Sequence, residues 1–167
     1  MGPAVRGGPL CVPDRCHNGP VDTEVARLKD AYTALGEGDE SPALAMLAPD
    51  CEWRESAELP GVDAVRGRDE IARFLREFLE PWERFEQVID EVVAHGDRIG
   101  LVIHVTAVGR SSGVELDTRY AHVWTMRDGL GVRVDAYRDP AAARSALAEE
   151  SHAPAAPSPS ETAQNAT

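Results

Sequence analysis

The chain is short of cysteine, of basic residues and of long apolar runs, and each shortage excludes something. Cys11, Cys16 and Cys51 are its only cysteines. An odd number, two of them in a Pro/Gly-rich arm, excludes a disulfide framework. Cys11 and Cys16-His17 stand four residues apart. That is too far for a haem-attachment pair, and no second ligand pair follows, so no metal site is expected. Lys and Arg number 17 against 29 Asp and Glu, a net charge of −12. Arg6 and Arg15 balance Asp14 and Asp22, and the tail from Glu150 holds only two acids, so the excess lies in the middle of the chain. Such a surface repels phosphate backbones and argues against nucleic-acid partners. No apolar run approaches a membrane span. The N-terminus lacks the basic-then-apolar pattern of a signal peptide. The expectation is a cytoplasmic protein with no membrane partner.

What is present fits one domain between two arms. Residues 1–20 hold four Pro and four Gly without periodicity, and 150–167 form a Pro/Ala/Ser tail; both read as disordered. Between them, over 21–149, Val21, Val25, Leu28, Tyr32 and Leu35 form one helical stripe. Ser41-Pro42 opens a short second helix with Ser41 as its N-cap. A strand follows over Cys51 to Glu55, with Cys51, Trp53 and Glu55 on one side. Ile71, Phe74, Leu75, Phe78 and Leu79 mark a third helix, closed by Pro81. From Trp82 the period becomes extended. Phe85 to Ala94 alternates imperfectly and predicts a bulge, while Ile99 to Val108 is nearly all apolar, as in a strand covered on both faces. A last helix, Pro140 to Glu149, has few large apolar residues and is expected to pack weakly. Four strands in series joined by short turns make a meander, with amphipathic helices against one face. The fold class is α+β, a cone-shaped roll whose curved antiparallel sheet wraps around helices and leaves a small-molecule cavity.

The most informative stretch is Val114 to Pro140, where two β-rich runs flank Asp128-Gly129. A two-residue turn pairs 125 with 132, 123 with 134 and 121 with 136. It then sets Tyr120, His122 and Trp124 opposite Tyr137, Asp135 and Arg133 on an outer face fit for a subunit interface. A three-residue turn pairs 124 with 132, 122 with 134 and 120 with 136, and turns the same aromatics into the cavity. Both remain open at this level.

The motifs Leu35-Gly-Glu-Gly-Asp39, Leu47-Ala-Pro-Asp-Cys-Glu-Trp53, Gly67-Arg68-Asp69-Glu70-Ile71, Trp124-Thr-Met-Arg-Asp-Gly129 and Tyr137-Arg-Asp139 occur in that order. In these, the chain resembles the SnoaL-like polyketide cyclases and ketosteroid isomerases of the nuclear transport factor 2-like (cystatin-like) superfamily. The resemblance implies a general-base carboxylate on the first strand; counted from Gly38-Asp39 it falls on Glu55. The isomerase oxyanion positions fall on Ala31, one short of Tyr32, and on Ala121, just before His122. The cyclase aspartate position falls on Ala136, beside Asp135.

The candidate chemistry is therefore proton transfer with no cofactor. Glu55 is the candidate base, His122 its acid/base partner, and Asp135 the group that orients His122. Tyr32 or His122 would steady an oxyanion. Tyr32, Trp53, Phe78, Trp82, Tyr120 and Trp124 are candidates to line a site for a hydrophobic small molecule, although for Phe78 plain core is the favoured reading. Arg119 beside Asp117 reads as a rim ion pair or a substrate anchor. His104 has no evident partner and reads as structural. A homodimer through the outer sheet face is expected. The alternative function is a non-catalytic binding or dimerisation domain.

Overall fold

The structure, a computed structural model, describes residues 20–55 and 64–149. The expected arm, apart from Pro20, and the expected tail lie outside them, as do Cys11 and Cys16. Among the described residues, no helix is long and apolar enough to cross a membrane.

Helix α1 (Pro20–Gly36) buries Leu28, Ala31, Tyr32 and Leu35, the stripe its period requires. Helix α2 (Ser41–Ala45) starts with Pro42 in its first turn. Its start is held not by Ser41 but by Asp39, whose Oδ1 accepts the Ser41 N–H at 2.9 Å. Strand β1 (Leu47–Arg54) begins earlier than Cys51, and β2 (Val65–Arg66), which the sequence did not suggest, pairs antiparallel with it. Helix α3 (Arg68–Leu79) buries Ile71, Ala72 and Leu75. The meander is β3 (Trp82–His95), β4 (Arg98–Gly109), β5 (Glu115–Arg127) and β6 (Leu130–Tyr137), followed by α4 (Pro140–Glu149).

The six strands form one sheet in the order β2-β1-β6-β5-β4-β3, with β1 parallel to β6 and every other pair antiparallel. Helix α1 packs on β3 at one edge and on α2, while α3 packs on β1 and β2 at the other edge. Both edges thus touch one helical layer, so the sheet curls around it and a cavity forms in the hollow. The α+β roll is as expected. The bulge expected in β3 lies at Asp90: Ile89 faces Ile103 and Glu91 faces Val102, leaving Asp90 without an opposite residue.

The outer face is not bare, and α4 does not pack weakly. Asp139 Oδ1 caps it by accepting the Ala141 N–H at 2.9 Å. Ala143 and Leu147 are buried against Ala121 and Val123 of β5. Few large side chains are needed because Gly100 of β4 makes room: a Cβ there would lie 2.3 Å from Leu147 Cδ1. Arg144 adds a two-pronged pair with Glu91, at 2.6 and 3.2 Å.

Neither expected hairpin register is realised. The turn does hold two residues, Asp128 and Gly129, both with positive φ, and 127 faces 130 and 126 faces 131. Thr125 then faces Arg133, so Val132 bulges out of β6. The cause is not local. Leu47 of β1 pairs with Gly131, whose N–H donates to the Met46 carbonyl at 2.7 Å, and the Trp124 ring lies where a Gly131 side chain would be. Beyond the bulge, Trp124 faces Val134, His122 faces Ala136 and Val123 faces Asp135. A one-residue shift exchanges sheet faces. Tyr120, His122 and Trp124 therefore turn into the hollow, while Asp135 turns out with Ala121 and Val123.

Candidate functional site

The hollow holds a cavity of about 290 Å³, lined mainly by apolar side chains of α1, α3 and the inner sheet face. Of the residues proposed from sequence, it brings together Tyr32, Trp53, Glu55, Phe78, Tyr120, His122 and Trp124. Phe78 stacks on Phe74 and meets Phe85 edge-on, and it is 45% exposed, so it forms part of the mouth rather than core.

Two candidates are placed elsewhere, and a third at the rim makes another contact than expected. Asp135 does not orient His122. It sits on the other sheet face in an ion pair with Arg133, at 2.7 and 2.8 Å. Trp82 packs on Phe85 and does not border the cavity. Arg119 touches the rim, but its Nε donates to Asp90 at 2.8 Å rather than to Asp117. The Asp90 bulge frees that carboxylate for it. Asp117 instead meets His104 Nε2 at 2.7 Å, so His104 does have a partner.

At the bottom of the cavity three buried side chains form a directed chain. Trp124 Nε1–H donates to the Tyr32 hydroxyl oxygen at 3.0 Å, and that oxygen lies 2.5 Å from His122 Nδ1. The indole can only donate, and the Tyr32 phenol proton has His122 Nδ1 as the acceptor in reach. Nδ1 is then the acceptor and the ring proton is on Nε2. Burial pushes the His122 pKa down to about 3, so the ring is neutral at physiological pH. The Tyr32 phenol is raised well above its usual range, first by burial and then by the neighbouring Tyr120, and it stays protonated. Among the described residues Nε2 has no hydrogen-bond partner, which makes it a fixed N–H donor available to the cavity. Trp53 and Tyr120 hold the imidazole, with ring centroids at 5.0 and 4.8 Å.

Glu55 follows β1, where alternation carries it to the same side as Cys51 and Trp53, as the sequence indicated. It borders the cavity, half-buried, and its Oε1 accepts the Trp53 indole N–H at 2.8 Å. Its charge reaches Tyr120, whose phenol is raised by burial and then by Glu55. Cys51, behind Trp53, is a packing thiol: burial chiefly, with Asp50 and Glu52, pushes it up to about 12.

Gln87 is a cavity residue that the sequence did not single out. It is buried, donates to the Tyr32 carbonyl at 2.9 Å and accepts the Tyr120 hydroxyl at 3.1 Å. Its signal was available: a lone amide between Phe85 and Ile89 on an otherwise apolar inward row. Arg138, just past β6 at the mouth, was missed too. The relatives' catalytic positions divide. Ala31 and Ala136 border the cavity, whereas Ala121 lies under α4.

The fold is that of nuclear transport factor 2-like proteins. A nuclear transport factor 2-like protein from Burkholderia thailandensis E264 is 27% identical, with 78% of this chain and 98% of that one covered at a TM-score of 0.60. A candidate SnoaL-like polyketide cyclase from Jannaschia sp. CCS1 is 20% identical over 81% and 94% of the two chains, with a TM-score of 0.62. TerC, co-crystallised with polyporic acid, is 22% identical over 78% and 99%, also at 0.62. No curated protein matches the sequence. The SnoaL-like domain family matches residues 28–134, and the chain belongs to that family.

Proposed function

We propose that this SnoaL-like protein binds a hydrophobic, oxygenated small molecule and acts on it by proton transfer, as a cofactor-independent isomerase or cyclase. The observation that carries the reading is the chain from Trp124 through Tyr32 to His122. It spends buried hydrogen bonds to aim one neutral N–H at an apolar cavity that also receives the Glu55 carboxylate. Glu55 is the base that removes a proton next to a carbonyl. His122 Nε2–H then receives the oxygen on which charge develops, the preorganised donor such a step requires. Trp53, by hydrogen-bonding one Glu55 oxygen, leaves the other for the substrate. The volume left open beside the large aromatics favours a ligand over a filled core.

A thermal-shift screen with polycyclic phenols, apolar ketones and polyporic acid, the ligand named for TerC, tests the binding step. Hydrogen–deuterium exchange at the ligand carbon next to the carbonyl tests the chemistry. Glu55→Gln should keep the thermal shift and slow exchange by about 10²-fold or more. If none of these compounds raises the melting temperature, the reading fails.

A second reading, a non-catalytic binder, is favoured by Ala31 and Ala136 bordering the cavity where the family resemblance calls for acid/base groups. Ligand-induced stabilisation with no Glu55-dependent exchange would select it. The homodimer is retained as a proposal for the strip of outer face around Val88 and Val93, which are exposed beyond the area α4 covers. A mass of 18.0 kDa by light scattering would remove it.

A further inference from the structure

The polar groups around the cavity are nearly all satisfied by one another. The Trp124 indole, Tyr32 hydroxyl and His122 Nδ1 form one chain, the Gln87 amide joins Tyr32 to Tyr120, and the Trp53 indole holds Glu55. Of the two arginines at the rim, Arg119 is committed to Asp90. Arg138 is different. Along β6, Val134 and Ala136 face inward and Asp135 faces out, and just past its end Arg138 borders the cavity. It is exposed, and among the described residues it has neither a hydrogen bond nor an ion pair. Lacking a counter-charge among the described residues, it is notable in a chain of net charge −12. It stands at the rim of an apolar hollow, where a fork of N–H donors suits a carboxylate, sulfonate or enolate.

We infer that Arg138 selects ligands carrying an anionic group on an apolar body. The body fills the cavity toward His122, and the anion meets the guanidinium at the mouth. Glu55 stands at the same mouth, since Arg54 runs beside Asp135 across the β1–β6 pair. Its carboxylate is turned to the Trp53 indole, so the ligand's anion is placed on the β6 side. This inference rests on the cavity being a ligand site, as proposed above, and deepens that proposal by naming the ligand class.

Two fluorescent probes separate the inference from its premise. Anilinonaphthalene sulfonate and phenylnaphthylamine share one aromatic body, and only the first is charged. Wild-type protein should bind both. Arg138→Gln should weaken the sulfonate roughly fivefold, as expected for one charge-assisted contact at a solvent edge, and change the uncharged probe less than about twofold. Half-molar salt should imitate the substitution on wild type. Ala136→Phe, which fills the cavity, should abolish both signals. Equal effects of Arg138→Gln on the two probes, or no effect on either, overturn the role of Arg138 and leave the cavity reading standing. Binding of neither probe, or binding that survives Ala136→Phe, overturns the cavity as a ligand site and the Arg138 role with it.

Discussion

Neighbouring residues of β5 lead opposite lives. His122 and Trp124 face inward, and Ala121 and Val123 face α4. Each face buries one ionisable group from this hairpin, and each solves the cost differently. Inside, His122 is neutral, bonded at one nitrogen and left with a donor on the other. Outside, Asp135 is neutralised by Arg133, whose Nη2–H donates to its Oδ1. A buried group neutralised by a neighbouring charge is structural, whereas one held rigidly beside open volume can meet a ligand. Chemical type alone would rank Asp135 as high as His122; the sheet face separates them, since of the two His122 borders the cavity.

The comparison breaks most directly by removing the inner aromatic wall. Trp124→Ala deletes edge contacts to Tyr32 and Trp53 together with the bond on Tyr32. It should cost about 3–5 kcal/mol in urea unfolding, against about 2 kcal/mol for Leu147→Ala on the outer face. Equal losses would mean that the two faces are the same kind of core.

Acid tests the inner face next. The folded pKa of His122 lies near 3, below the unfolded value of about 6.5. The unfolded chain therefore binds the extra proton between those limits. This contribution to stability is complete above about pH 6.5 and is lost as pH falls toward 3. Between pH 6.5 and 4.5 the loss should be on the order of 2–3 kcal/mol. His122→Gln, whose amide oxygen can still accept from Tyr32, should flatten that slope, and Leu147→Ala should lower the melting temperature without changing it. The exposed carboxylates held low by hydrogen bonds or arginines, such as Asp39, Glu40, Glu52 and Glu91, shift in the same direction. They are common to all three proteins and cancel.

The smallest effect probes the outer face. Gly100→Ala puts a methyl group against Leu147 and should cost about 1–3 kcal/mol. In a Leu147→Ala background most of that cost should vanish, because the clashing atom is gone. An unchanged cost in the double variant would show that α4 is not seated by this contact.

Much of this arrangement was legible in the sequence, for local reasons. The helical stripes, the β3 bulge, the Asp128-Gly129 turn and the side Glu55 shares with Cys51 and Trp53 each follow from spacing within one element. The face of Asp135 did not, because it depends on where β6 slips. That slip sits where the Met46 carbonyl takes the Gly131 N–H, from a part of the chain more than eighty residues away. The packing of α4 was missed for a related reason: what seats it is the absence of a side chain on another strand, at Gly100. His104 and Asp117 looked unconnected because a cross-strand pair shows only once the register of β4 and β5 is known.

The directed chain behind His122 has a consequence for kinetics. A histidine in an active site ordinarily writes its own titration into the rate, as a limb near neutrality. This one cannot, since its ring holds the same single proton from about pH 3 upward until the buried phenols give way. A limb in the pH–rate profile between pH 5 and 9 then reports a group other than His122. A profile recorded on two substrates of different acidity would assign it without any variant at all.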